Sequence, residues 1–276
     1  MKDQKPIVDV QNLPDFRSID IDKVGIKDIL YPIGVLDQKN KIQRTVGRVS
    51  MYVNLPHQFR GTHMSRFVEL LNEQCHDMTT PAIPRILMSI RSRLNATEAY
   101  LEVSFPFFLL KRAPVTGAEG MMAYSCTVRA RDVKQVTLEI EVKVPITALC
   151  PCSKEISEHG AHNQRGLVTV RYRQSKLVWL EEIIEIVESS ASCDVYSVLK
   201  REDEKYVTEK AYANPVFVED LVRNVAQVLA AHPRIDWFAV EVENQESIHA
   251  HNAYAYVEMD RKQKQHKVCP DTRSSS

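Results

Sequence analysis

The 276-residue chain is balanced in charge and typical of a globular protein in composition. It has 36 Lys plus Arg, 36 Asp plus Glu and a formal net charge of zero. This balance argues against nucleic acid or a membrane surface as a partner held by bulk charge. With 44% hydrophobic residues, the chain can bury the core of one large domain or two smaller ones.

Cysteine usage and the polar N-terminal segment point to a reducing compartment. The six cysteines are scattered apart from Cys150 and Cys152, and a chain of this length does not need a disulfide framework. Segment 1–15 has no apolar signal core, and no run of about 18 apolar residues occurs. We therefore expect a cytoplasmic protein.

Hydrophobic periodicity predicts the elements of the first half. Residues 1–27 carry Pro6 and Pro14 and are expected to form an irregular N-terminal arm. The elements that follow are strands 28–36 and 44–55, helices 63–74 and 83–94, and strands 99–110 and 121–132.

The second half repeats this order. Its predicted elements are strands 136–146 and 165–173, helices 177–190 and 217–232, and strands 235–244 and 250–260, with a frayed tail at 261–276. Strand-strand-helix-helix-strand-strand, twice, predicts an α+β fold with antiparallel sheets, in modules 28–132 and 133–260. Uncovered sheet edges favour an oligomer.

Candidate metal ligands are concentrated at 147–165, TALCPCSKEISEHGAHNQR. Thiolate and imidazole are good ligands for zinc and similar metals. Residues one apart in extended chain point opposite ways, so only one of Cys150 and Cys152 is expected to face a metal. The alternative is that the cysteines are small buried hydrophobic residues. His159, in a polar loop, is interpreted as a surface histidine, whereas His162 stands where a strand begins.

Two further segments carry chemically useful side chains. LKREDEKYVTEKAY, 199–212, is densely charged and on composition is a solvated loop. ENQESIHAHNAYA, 243–255, is a predicted turn with Glu243, Glu246, His249 and His251, which suits acid–base work or is simply an exposed polar turn. No glycine-rich phosphate loop is present. The residues alone indicate a metal-dependent hydrolase or lyase without naming its substrate.

Four segments, taken together in chain order, resemble GTP cyclohydrolase type IB. They are LCPCSKEIS…GAHNQR, LKREDEKYVTE, NPVFVEDLVRN and ENQESIHAHNAYA. The resemblance runs from HMSRF, 63–67, to about residue 256. It implies a tunnelling fold and a homotetramer with active sites at subunit interfaces. The implied reaction converts GTP and water to 7,8-dihydroneopterin triphosphate and formate, the first step of tetrahydrofolate biosynthesis.

The resemblance also implies roles for individual residues. Cys150, His162 and Glu204 would hold one divalent metal per active site, Zn, Mn or Fe(II), and the carboxylate makes the site harder than an all-thiolate one. Glu219 would accept hydrogen bonds from guanine N1–H and the 2-amino group. In the first turn of a helix, Glu219 is also favoured by the dipole alone.

The same resemblance implies the remaining site residues. His249 would move protons at the ring nitrogens, Glu246 would orient His249 or a water, and Cys152 would line the pocket and hydrogen-bond to substrate. Cations are needed for the triphosphate, and the candidates are Arg48, His63, Arg66, Lys154, Arg165, Lys200 and Lys205.

Three alternatives stay open at this point. An archaeal relative makes a cyclic-phosphate dihydroneopterin. A nitrile reductase of queuosine synthesis resembles the family in fold but uses NADPH and a covalent cysteine adduct. A structural metal-binding protein would need Glu204, Glu219 and His249 only for stability.

Overall fold

A computed structural model describes residues 11, 15–74 and 76–261 of the chain. Its elements, in chain order, are β1 (Ile21–Asp37), β2 (Lys41–Leu55), α1 (Met64–Gln74), α2 (Ile83–Leu94), β3 (Ala99–Arg112), β4 (Glu119–Asp132), β5 (Val136–Leu149), α3 (Pro151–Ile156), β6 (Asn163–Gln174), α4 (Leu180–Ser190), β7 (Cys193–Asp194), α5 (Arg201–Ala213), α6 (Val218–Ala231), β8 (Ile235–Gln245) and β9 (Ala253–Asp260).

The chain forms two compact units. Unit 1 comprises the described residues up to Phe105 together with Thr127–Leu138. Unit 2 comprises Pro106–Cys126 and the described residues from Glu139 onward. The predicted module boundary between residues 132 and 133 lies in the turn between β4 and β5. Because β3, β4 and β5 contribute residues to both units, modules and compact units do not coincide along the chain.

In unit 1, β2 pairs antiparallel with β1 on one side and β3 on the other. The α1 helix buries Phe67, Leu70 and Leu71. The α2 helix buries residues at helical spacing, among them Ile83 and Ile86, and ends at Asn95 with a left-handed φ of 50°. Each fully buried aliphatic or aromatic side chain of this kind contributes about 1.5–3 kcal/mol of hydrophobic stabilisation.

In unit 2, β6 is paired on both sides, with β5 from Ile140↔Tyr172 to Leu149↔Asn163 and with β8 through Arg165↔Gln245. The α4 and α6 helices supply the buried helix faces. In α6, Leu221, Val222, Val225 and Leu229 recur at helical spacing and are buried. The helix ends before Pro233, which cannot continue the hydrogen-bond ladder. The α6 helix packs against β8 and β9.

The α+β fold and the main elements of the doubled order are confirmed, but two predicted irregular segments are not irregular. β1 begins at Ile21 rather than at residue 28. Its register with β2 shifts between Ile26 and Ile29, Asp28 has a φ of 59°, and the Asp28 amide donates to Ser50 Oγ at 3.0 Å. This bulge interrupts the alternation by which a strand is detected in a sequence.

The charged segment 199–212, expected to be a loop, forms α5. Its buried residues are Asp203 and Ala211, so it has no apolar stripe to indicate a helix. The short elements α3 and β7 were not predicted either. The described residues include no helix that is long and apolar enough to cross a bilayer. The predicted frayed tail lies outside the described residues except for Arg261.

Candidate active site

A cavity of about 550 Å³ lies in unit 2, where the end of β5, the start of β6 and the end of β8 meet. This volume is within the usual range for small-molecule sites, roughly 300–1,000 Å³. Its polar lining includes Gln164, Arg165, Asp194, Tyr196, Glu246 and Ser247.

Cys150 and His162 are held as neighbours at this end of the sheet. The Cys150 amide donates to the His162 carbonyl at 3.2 Å. The His162 amide donates to Ser153 Oγ at 3.1 Å, and the Ser153 amide donates to Cys150 Sγ at 3.5 Å. The predicted thiolate and imidazole ligands are therefore fixed side by side at their backbones.

Cys150 and Cys152 have different environments. The prediction that both lie in extended chain is wrong, because a helix begins between them. Cys150 has extended angles, φ −70° and ψ 117°, and is the N-cap of α3, whereas Cys152 lies inside that helix. Cys150 is half-buried and Cys152 is exposed. Within the described residues the cysteines, including buried Cys126 and Cys193, are unpaired.

Two glycines allow the chain to fold tightly around His162. Gly160 has a φ of 74°, which a residue with a side chain rarely adopts. A Cβ at Gly166 would lie 2.4 Å from Asn244 Oδ1 and 2.5 Å from Ile146 Cδ1. Gly166 therefore leaves room on β6 for the side chains of Asn244 on β8 and Ile146 on β5.

The His162 ring is oriented by the turn between β8 and β9. His162 Nδ1 lies 3.2 Å from Ser247 Oγ. When Nδ1 carries the proton and donates to Ser247, Nε2 has a free lone pair of the kind that binds metals. Ser247 therefore suits His162 to act as an Nε2 ligand.

The turn between β8 and β9, residues 246–252 of the predicted acid–base segment 243–255, brings Glu246 and His249 together. Glu246 Oε1 accepts from Gln164 Nε2 at 2.8 Å, and Glu246 Oε2 lies 3.7 Å from His249 Nδ1. His249 stacks on His251 with ring centroids 5.1 Å apart. Glu243 instead accepts from Asn252 at 2.7 Å, which closes the turn.

Glu204 lies in the first turn of α5 and is exposed. Its neighbour Asp203 is buried and accepts from the amides of Val115, Thr116 and Lys200 at 2.8–2.9 Å. Burial alone would raise the pKa of Asp203, but these hydrogen bonds, led by the Thr116 hydroxyl, hold it well below its usual range. Asp203 is thus a structural carboxylate, and Glu204 is the free one of the pair.

The three predicted metal ligands are not assembled into one group. Across residues 11, 15–74 and 76–261, no three His, Cys, Asp or Glu side chains lie together as a metal-binding group. Cys150 and His162 are neighbours, whereas Glu204 stands on α5. The assignment of all three as ligands stays a prediction.

Glu219 lies in the first turn of α6, as the sequence predicts, and it is exposed. The amide of Val216 donates to the carbonyl of Leu149 at 3.1 Å. Since Leu149 immediately precedes Cys150, this bond anchors the segment before α6 to the end of β5. Glu219 therefore belongs to the same end of unit 2 as Cys150.

The predicted triphosphate-binding cations fall in both units. Arg48, His63 and Arg66 belong to unit 1, whereas Lys154, Arg165, Lys200 and Lys205 belong to unit 2. Of the latter, Arg165 lines the cavity and is exposed. Lys154 donates to the Tyr212 carbonyl at 2.6 Å, and Lys205 pairs with Glu209 at 2.6 Å. Their role as phosphate ligands stays a prediction.

The sequence did not predict a charged network that lies beside the cavity. Lys111 Nζ donates to Glu188 Oε1 at 2.7 Å and lies 3.2 Å from Asp194 Oδ2. Asp194 also accepts from Lys210 at 3.1 Å and from the Tyr196 hydroxyl at 3.3 Å. Burial raises the pKa of Glu188, and for Asp194 the two lysines outweigh burial and lower the pKa. The network fixes the wall formed by Asp194 and Tyr196.

Replacing Lys111 by Met should destabilise the protein by up to about 3 kcal/mol, because two largely buried carboxylates, 12% and 18% exposed, would lose a shared cation while Asp194 keeps Lys210. The matched control is Arg112→Met on the same strand, whose pair with Glu119 is exposed and worth about 0–1 kcal/mol. Urea unfolding at pH 7 measures both, and the Lys111 deficit should shrink on acidification as the carboxylates protonate. Equal losses for the two variants would contradict the assignment.

Comparison with known proteins gives one consistent family. The family described as type I GTP cyclohydrolase folE2 matches residues 7–255. The "GTP cyclohydrolase FolE2" of Geobacter sulfurreducens is 52% identical over 254 residues, covering 92% of this chain and 98% of the relative. That of Magnetococcus marinus is 53% identical over 258 residues, covering 92% and 97%.

Solved structures show the fold. Uricase from Arthrobacter globiformis aligns with a TM-score of 0.51 at 8% identity, covering 87% of this chain and 94% of that protein. A urate oxidase variant from Bacillus sp. TB-90 aligns with a TM-score of 0.53 at 10% identity, covering 87% and 99%. The chain therefore has the tunnelling fold, as the sequence resemblance implied.

Proposed function

Since the chain belongs to the type I GTP cyclohydrolase folE2 family, we propose that it converts GTP and water to 7,8-dihydroneopterin triphosphate and formate. It is an enzyme of the GTP cyclohydrolase class. The proposal places the reaction at the start of tetrahydrofolate biosynthesis. The observation that carries it is the bond between His162 and Ser247, which joins the Cys150–His162 pair to the turn that holds Glu246 and His249.

The donor chemistry of Cys150, His162 and Glu204 suits one divalent metal: Zn, Mn or Fe(II). The orientation of His162 by Ser247 supports this proposal. The set is not preassembled, so metal binding requires Glu204 and the Cys150–His162 pair to converge. Held by these residues, a divalent metal would supply the activation of water that hydrolytic opening of the ring requires.

The chain's own residues bind the substrate and move protons. Glu219 accepts two hydrogen bonds from the guanine edge, which adenine cannot donate in the same pattern. His249 gives and takes protons at the ring nitrogens as the bonds to C8 break, with Glu246 Oε2 facing its Nδ1. Cys152 hydrogen-bonds to the substrate, and basic side chains neutralise the triphosphate.

We also propose a homotetramer with active sites at subunit interfaces. β1 is an edge strand in unit 1 and β9 is an edge strand in unit 2. Both expose large side chains, including Leu30 on β1 and Tyr254 and Tyr256 on β9. Among the described residues, β1 has a second partner beside β2 at one position, the Gly34↔Asp77 bridge. The rest of its edge and the edge of β9 favour pairing with another chain. Sedimentation of the purified protein tests the assembly.

A single assay tests the reaction. The purified protein, stripped of metal and reloaded with Mn²⁺, Zn²⁺ or Fe²⁺, is incubated with GTP, and pterin fluorescence is followed after oxidation. We expect a fluorescent pterin and one formate per GTP, with loss of both after chelation. Mass spectrometry distinguishes the linear triphosphate from a cyclic phosphate, and NADPH consumption would indicate the reductase. No product with any of the three metals contradicts the proposal.

A further inference from the structure

Gln164 at the start of β6 lies next to Glu246, which follows the neighbouring strand β8, although the two are 82 positions apart in the chain. In the β6–β8 ladder, Arg165 is paired with Gln245, so Gln164 and Glu246 are the next residues beyond that pair. Gln164 Nε2 donates to Glu246 Oε1 at 2.8 Å. The Glu246 side chain is only 11% exposed, so little water competes for this hydrogen bond.

The direction of the Gln164 amide follows from its surroundings. Reversing it would place the amide oxygen against the carboxylate, where two acceptors repel each other. Within the described part of the chain, Gln164 Oε1 is buried without a hydrogen-bond partner. A buried unpaired carbonyl is costly, so a side chain that retains one calls for an explanation. Here the explanation is the bond that its other end makes to Glu246.

This bond assigns different tasks to the two oxygens of Glu246. An amide NH₂ group can only donate, so Oε1 must remain the acceptor. Because a carboxyl hydroxyl oxygen accepts hydrogen bonds less well than a carbonyl oxygen, the bond favours placing any proton of Glu246 on Oε2, which lies 3.7 Å from His249 Nδ1. The Gln164 bond therefore leaves one oxygen free to exchange a proton with His249.

We propose that Gln164 is a positioning residue, which holds Glu246 so that Oε2 faces His249 during turnover. The inference rests on the proposed function, in which Glu246 and His249 move protons. Gln164 lines the cavity, but the proposed role involves no bond from Gln164 to the substrate. It acts through Glu246, and its loss should therefore affect the rate of the reaction more than the binding of GTP.

A double-mutant cycle tests this coupling. Gln164→Ala should lower kcat about 10- to 100-fold, the rate equivalent of one hydrogen bond to a charged group. The KM for GTP should change less than about threefold. In a Glu246→Gln background, adding Gln164→Ala should cost less than about twofold more, because its partner is already altered. Losses that multiply in the double variant would overturn the proposal.

Two further variants separate positioning from general damage. Gln164→Glu keeps the size but sets a second carboxylate against Glu246, and it should lose at least as much kcat while retaining metal content. Full kcat in this variant would also overturn the proposal. The control variant Gln43→Ala removes a comparable bond in unit 1, from Gln43 Nε2 to Asp37 Oδ2 at 3.1 Å. It should leave kcat unchanged, both alone and when combined with Glu246→Gln.

The outcomes distinguish the two levels of inference. If the wild-type protein does not turn over GTP with any metal, both the proposed function and the role of Gln164 are wrong. If the wild-type protein is active and the decreases in kcat multiply in the double variant, only the role of Gln164 is wrong.

Discussion

Cys150→Ala should release the bound metal and lower kcat more than about 100-fold, because even residues behind the ligands are worth 10–100-fold. The thiolate is the softest donor of the proposed set. The fold should survive, since Cys150 is a half-buried residue at the start of the short helix α3. Metal content after dialysis and GTP turnover measure the two losses in the same sample.

Two variants make the test specific. Cys150→Ser retains an oxygen acceptor for the Ser153 amide and caps a helix well, yet it has no thiolate, so it should be stable and still lose metal. His159→Ala is the matched histidine control, because His159 is exposed in the loop before Gly160. His162→Ala should behave like Cys150→Ala and His159→Ala like wild type. Wild-type metal content in Cys150→Ser would contradict the ligand assignment.

The parts of the fold that were predictable are those whose burial is periodic. In α6 the buried residues recur at helical spacing, and in β5 alternation marks the strand. The α5 helix lacked this signal, since its buried residues are Asp203 and Ala211. It is fixed instead by the contacts of Asp203 with Val115 and Thr116, which lie 88 and 87 positions away. Contacts of that range leave no local pattern.

The same limit applies to the candidate site. Cys150 and His162 could be selected because they lie close in sequence and carry metal-binding side chains. The partners that orient the site are remote: Gln164 reaches Glu246 across 82 positions, and Lys111 reaches Glu188 across 77. A glutamine in a strand and a lysine in a strand have no distinctive chemistry by themselves. Their roles follow from the pairing of β6 with β8 and from burial.

Glu219→Ala should lower kcat/KM for GTP by about 10²–10⁴, since two hydrogen bonds to a carboxylate, each worth about 1.5–3 kcal/mol, would be lost. Asp220→Ala is the matched control, because it removes the neighbouring first-turn carboxylate of α6, whose bond to Arg223 is exposed. Both variants lose a similar favourable interaction with the helix dipole, about 0.3–1 kcal/mol. Similar Tm values are therefore expected.

Inosine triphosphate sharpens this test, because it lacks the 2-amino group but keeps N1–H. Wild-type protein should prefer GTP over it by about 10-fold or more, the value of one charged hydrogen bond. In Glu219→Ala neither base has its carboxylate partner, so the preference should fall to nearly one. In Asp220→Ala it should stay at the wild-type value. A preference for GTP that persists in Glu219→Ala would mean that another group reads the 2-amino edge, and that Glu219 serves only the start of α6.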